Sequence, residues 1–250
     1  MAWLGKVLGA GAGYLLGGPL GAILGAAFGH QAMDNAPRSF YGVPMSEMEV
    51  KNSVFFVAIF SMLGKLAQAD EVVTEDEIDT VKQIVSERFH LSAGAEQFAI
   101  ETFNNAIHSE ISFQQYADQF YDSFRNEPEI LTSMLELLLV VAHADSHYHE
   151  KEEELIESAA GIFGLSDAYQ HILGSLNGSP GDIDRCYEIL GCSPEDDLPT
   201  VKKKYRELAM QFHPDRIQSK GLPKEFMQFA TDRFQEIQEA FEIVSRNLTD

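Results

Sequence analysis

The chain is poor in cysteine and in positive charge. Two cysteines, Cys186 and Cys192, occur in 250 residues. They lie close together, so no disulfide framework is available beyond one short loop, and a reducing compartment is the simpler reading. Lys and Arg number 18 against 39 Asp and Glu, a formal net charge of -21. Non-specific phosphate binding needs a positive surface, so a nucleic-acid partner is not expected. What remains is ordinary globular composition, 45% hydrophobic and 10% aromatic, which excludes a wholly disordered chain. The length allows one or two soluble domains.

Charge divides the chain into three zones. Residues 1–45 carry Lys6, Arg38 and Asp34. Residues 46–181 carry 6 basic and 24 acidic side chains, and residues 182–250 carry 10 and 14.

The first zone opens on a glycine-rich apolar run. Val7 to Phe28 holds no charge over 22 residues. As a helix at 1.5 Å per residue it would span about 33 Å, enough for a hydrocarbon core of about 30 Å. Gly5, Gly9, Gly13, Gly17, Gly21, Gly25 and Gly29 recur at every fourth position. On a helix they form one groove that lets a second helix approach closely, so self-association to a homodimer is expected. Leu8, Leu15, Leu16, Ile23, Leu24 and Phe28 suit lipid. Pro19 and so many glycines make a poor helix in water, and membrane burial tolerates them better. A secretory signal would be shorter and followed by a cleavage site. Lys6 competes with Arg38 and Lys51, so charge alone barely decides topology.

The acidic zone shows helical periodicity nearly throughout. Ser46 and Glu49 have capping-box spacing before Val54, Phe55, Ala58, Ile59, Met62, Leu63 and Leu66. Thr74 and Glu77 repeat it. Further helices are expected near Ala95–His108, around Phe113–Phe124, over Pro128–Ala144, over Glu150–Phe163 and after Ser166. Strict alternation for a strand is absent. The zone also repeats internally: Ala67, Ala69, Asp70, Glu75 and Glu77 are matched by Ala142, Ala144, Asp145, Glu150 and Glu152. A pseudo-symmetric helical bundle is the expected result.

This doubled pattern resembles the TerB-like family, whose acidic turns have been proposed as metal or signalling sites. Asp70, Glu75, Glu77, Asp145, Glu150 and Glu152 offer hard oxygen ligands for a divalent ion. The plainer reading, which we prefer, is that the aspartates shape helix ends and the glutamates favour helix N-termini. His143, His147 and His149 form a histidine-rich turn. A transition-metal site there is the sharper alternative. No cofactor is expected beyond such an ion.

Asn177 to Gly181 reads as a turn-rich break. A short helix follows, ending at Gly191. A second helix begins at Pro199, with Val201, Tyr205, Leu208, Ala209 and Phe212 on its apolar side and Lys202, Lys203, Lys204 and Arg206 on the other. It stops at His213, because proline disfavours helix in the residue before it. A third helix is expected from about Pro223 to Asn247.

These residues resemble the J domain of DnaJ-like proteins. The resemblance rests on Tyr187-x-Ile-Leu-Gly191, on Tyr205 through His213-Pro214-Asp215-Arg216, and on Phe234-x-x-Ile-x-Glu-Ala-Phe241. It implies binding to a DnaK-type chaperone and stimulation of its ATP hydrolysis, through His213, Pro214, Asp215, Lys202, Tyr205 and Arg206. It implies no catalysis by this chain. Glu207 and Gln211 depart from the basic residues usual in the family, which implies weakened or redirected docking.

The expected organisation is therefore all-α. A transmembrane anchor at 1–30, a linker at 31–45, a TerB-like bundle at 46–176, a linker at 177–183 and a J-domain helical hairpin at 184–250 follow one another. That order resembles the bacterial DjlA family of membrane-anchored co-chaperones. The resemblance implies a single-pass protein of the bacterial inner membrane, with the N-terminus outside and the domains in the cytoplasm. It implies recruitment of the chaperone to membrane clients or stress signalling. The main alternative is a divalent-metal or stress sensor with an accessory J domain. An enzyme is not expected, since no phosphate loop, CxxC or nucleophile elbow is present.

Overall fold

The computed structural model describes residues 17–22, 46–69, 91–143, 150–177, 179 and 181–249. All regular structure among them is helical. The acidic domain is built on α1, Glu47–Ala67. Ser46 Oγ accepts from Glu49 N at 3.2 Å, and Glu49 Oε2 accepts from Ser46 N at 2.9 Å. This satisfies two of the otherwise unpaired donors at the helix start. From Ser53 to Leu66 nearly every residue of α1 is buried. A helix apolar all round belongs at the centre of its domain. With mean hydropathy 1.4, α1 is long and apolar enough to cross a membrane, but 72% of that stretch is buried inside the protein. It is the core helix.

Against α1 lie α2 (Ala93–Ile107), α3 (Phe113–Phe124), α4 (Pro128–Ala142) and α5 (Glu150–Phe163), while α6 (Ser166–Asn177) packs on α4 and α5. Ser92 caps α2, and Ser112 with Gln115 forms a second capping box on α3. Pro128 opens α4 at a position where its missing N–H costs nothing. Aromatic rings tie these helices together. Phe55 meets Phe120 at 5.7 Å and Phe124 at 6.5 Å. Phe56 stacks on Phe98 at 5.5 Å, and Phe120 reaches Phe163 at 5.7 Å.

The C-terminal module comprises α7 (Ile183–Leu190), α8 (Leu198–Gln211), α9 (Pro214–Lys220), a 3-10 turn (Lys224–Phe226) and α10 (Met227–Asn247). Asp197 caps α8 by accepting from Thr200 N at 3.0 Å. Tyr205 stacks on Phe241 at 4.1 Å, and His213 meets Phe234 at 5.8 Å. Contacts that rise along α8 and fall along α10 make the pair an antiparallel hairpin. Two details differ from the sequence expectation. Helix α9 follows the second helix directly, because Pro214 has the φ that a first helical residue needs. The third helix begins as a 3-10 turn, and its α-helical part starts at Met227.

Near the N-terminus, Gly17 and Gly18 have φ of +58° and +53°. Glycine adopts that backbone without strain, and the helical turn over residues 18–22 closes with Gly21 N donating to Gly17 O at 2.9 Å. That turn rests on the acidic domain. Leu20 is buried, its N–H donates to Gln119 Oε1 at 2.7 Å, and Gln119 Nε2 donates to Gly17 O at 3.0 Å. Gly5, Gly9, Gly13, Gly25 and Gly29 lie outside the described residues, as do the helix expected after Thr74 and its acidic turn.

Candidate functional site

The loop between α8 and α10 collects the residues singled out in the C-terminal motif. Phe212 ends α8 and is buried, with its N–H bonded to Leu208 O at 2.8 Å. His213 is extended (φ -59°, ψ 125°), as the following proline requires. Pro214 and Asp215 then form the first turn of α9, and Ile217 N closes it on His213 O at 3.0 Å. His213 and Asp215 are exposed side by side. The Phe234 edge contact fixes the imidazole from beneath.

The basic face of α8 continues this surface. Lys202, Lys203, Lys204 and Arg206 are exposed, and Val201 is the buried side chain of the helix. Tyr205 is half-buried through its stack on Phe241. The two departures from the family pattern have separate fates. Glu207 lies 4.0 Å from Lys203, a weak surface pair. Gln211 turns away and donates to Thr132 Oγ1 of α4 at 3.4 Å.

This second contact belongs to a junction between the two domains. Arg216, next to Asp215, reaches Glu129 Oε1 at 3.3 Å. Glu129 is buried at the start of α4. One turn past Thr132, Glu136 Oε1 accepts from Arg233 Nε at 2.9 Å. Arg233 Nη1 also donates to Glu236 Oε2 at 2.7 Å, and Glu236 pairs with Arg185. Arg185 Nε in turn donates to Ser175 O at 2.7 Å. The chain of charges thus links α4, α10, α7 and α6 beside a cleft of about 550 Å³. Glu136 Oε2 is buried and finds no partner among the described residues. Burial therefore pushes the Glu136 carboxyl above the usual carboxylate range, against the pull of Arg233.

An aromatic plug completes the junction. Phe226 is fully buried, with its ring 5.1 Å from Phe55, 6.0 Å from Phe56 and 6.4 Å from Phe60. Just before it, Gly221 has φ +119°, and a Cβ there would lie 3.0 Å from Lys51 Cβ. The sequence reading missed the junction. Its signal was present in α4, where Glu129 and Glu136 are the acidic residues of an apolar helix and lie i, i+7 on one stripe.

Asp70, Glu75, Glu77 and Asp145 lie outside the described residues, as do His147 and His149. Glu150 is exposed and Glu152 half-buried, both in the first turn of α5. No group of three or more metal-ligating side chains occurs among the described residues. His143 bonds through Nδ1 to Leu139 O at 2.9 Å. Cys186 and Cys192 are buried free thiols, and burial pushes Cys192 up to about 11, so neither is a reactive thiolate.

Comparison with known proteins agrees with this order of parts. Family models match for the co-chaperone DjlA transmembrane domain over residues 1–38, tellurite resistance protein TerB over 56–172, and the DnaJ domain over 185–248. The chain is 29% identical to the co-chaperone protein DjlA of Photobacterium profundum, covering 97% of this chain and 98% of that one. It is 28% identical to that of Escherichia coli K12 and 26% to that of Coxiella burnetii, each with 98% of both chains covered. No solved structure matches. A helical TerB-like domain, a J domain bearing His213-Pro214-Asp215, and an N-terminal transmembrane domain define a membrane-anchored J-domain protein. The chain belongs to the DjlA family of co-chaperones.

Proposed function

We propose that the chain binds a DnaK-type chaperone and stimulates its ATP hydrolysis at the membrane. The observation that carries this reading is the exposed pair His213 and Asp215 at the end of an exposed basic helix face. Lys202 and Arg206 steer the module onto an acidic chaperone surface. Tyr205, held by Phe241, gives that face a rigid apolar centre. Pro214 fixes the backbone that presents the histidine and aspartate. Their contacts accelerate hydrolysis only by favouring the hydrolysis-competent chaperone conformation, since a ligand shifts an equilibrium by its differential affinity. The chain supplies no reacting group.

Topology follows from this reading. ATP and the chaperone are cytoplasmic, so the domains face the cytoplasm of a single-pass inner-membrane protein with a short external N-terminus. Self-association through the face carrying Gly5, Gly9, Gly13, Gly17, Gly21, Gly25 and Gly29 supports a homodimer. The anchor concentrates the chaperone near membrane clients.

The test is single-turnover ATP hydrolysis by the DnaK-type chaperone, with the full chain in phospholipid vesicles and with a His213→Gln variant. Stimulation by the wild type that is lost in the variant is the expected result. Equal rates with either protein and with none would refute the reading.

A further inference from the structure

We infer that the acidic domain positions the His213–Asp215 loop, with Glu129 and Thr132 of α4 as the positioning residues. The inference rests on the chaperone reading above. Its starting point is that α9 has seven residues and no side-chain cap among the described residues. A helix that short does not order itself in water. Its orientation, and that of the loop leading into it, must come from what they touch.

Those contacts bracket the functional residues. Two residues before His213, Gln211 is held by Thr132 at 3.4 Å. One residue after Asp215, Arg216 is held by Glu129 at 3.3 Å. Beyond α9, Leu222 and Phe226 are buried, with Phe226 seated among the α1 rings. On the inner side, Phe234 abuts the imidazole. Both flanks are pinned to the acidic domain while His213, Asp215, Lys202 and Arg206 stay exposed. A masking domain would cover these side chains. A bracing domain leaves them open and fixes the backbone that carries them. Gln211, a departure from the basic residue usual in J domains, is spent on this brace.

The test is a titration of the DnaK-type chaperone with the full chain in phospholipid vesicles, read by single-turnover ATP hydrolysis. The variants are Thr132→Val, which keeps shape but removes the acceptor, Thr132→Ser, which restores it, and Glu129→Gln with Thr132→Val. Maximal stimulation by the double variant should fall roughly fivefold, the weight of about one net hydrogen bond. The half-saturating concentration, set by the exposed α8 face, should change less than about twofold. Thr132→Ser should match the wild type. Amide hydrogen exchange over residues 213–220 should quicken in the double variant and not in Thr132→Ser. An unchanged maximum, or exchange that does not quicken, sinks the inference. A higher maximum also sinks it, and shows that the acidic domain masks the loop. A wild type that gives no stimulation sinks the chaperone reading and this one together. A wild type that stimulates and is matched by the double variant sinks this one alone.

Discussion

The acidic domain and the J module spend their apolar residues differently. In α1 nearly every side chain from Ser53 to Leu66 is buried, whereas α8 buries Val201 and exposes its lysines. The first domain has a surplus of core and the second a surplus of surface. The J module meets the shortfall by lending Phe226 to its neighbour's aromatic cluster. A module that keeps one face open for a partner has little interior left, and a neighbouring domain can supply what is missing.

The sharpest way to break this pairing is Phe226→Ala. Truncating a fully buried phenylalanine costs about 4 kcal/mol. In urea unfolding of the solubilised full chain, followed by circular dichroism, the J module should melt before the acidic domain. A single unshifted transition would show that the two regions do not share a core. Next comes Arg233→Leu, which leaves Glu136 buried without its cation at a cost of about 3 kcal/mol. The same unfolding curve measures it, and a loss below about 1 kcal/mol would show the pair to be solvated.

Glu136 also gives the junction a pH dependence. Its folded carboxyl titrates above the ordinary 4.5 because burial disfavours the charge. The folded state therefore holds a proton that the unfolded state releases. This contribution is fully present below 4.5 and is lost as pH rises through the higher folded value. Stability should fall over that window, and Glu136→Gln should flatten the slope in urea midpoints taken up to about pH 7. A slope identical in both proteins assigns the titration elsewhere.

Smaller effects refine the comparison. Gly221→Ala puts a side chain at φ +119° and 3.0 Å from Lys51 Cβ, and should cost about 2 kcal/mol. Ser46→Ala removes one capping box of the acidic domain and should cost about 1 kcal/mol. It should shift the acidic domain's transition and leave chaperone stimulation unchanged.

Much of the fold was legible because its signals are local. Ser46 with Glu49, and Gly191 after Leu190, mark helix ends by backbone chemistry that needs no tertiary partner. His213-Pro214-Asp215 was legible for the same reason, since proline dictates the backbone on either side of it. The short α9 and the 3-10 start of the last helix were not, because seven residues carry too little periodicity to register. An apolar run and a glycine repeat say nothing of the positive φ at Gly17 and Gly18.

The sequence by itself determined the all-helical class, the order of parts and the identity of the exposed motif, because periodicity, caps and proline act over a few residues. Only the tertiary structure decided that Gln211, Arg216, Phe226 and Arg233 belong to the acidic domain as much as to their own. Each meets a partner about a third of the chain away or further, and whether a lone charge or ring in a sequence is surface or anchor depends on what folding brings against it.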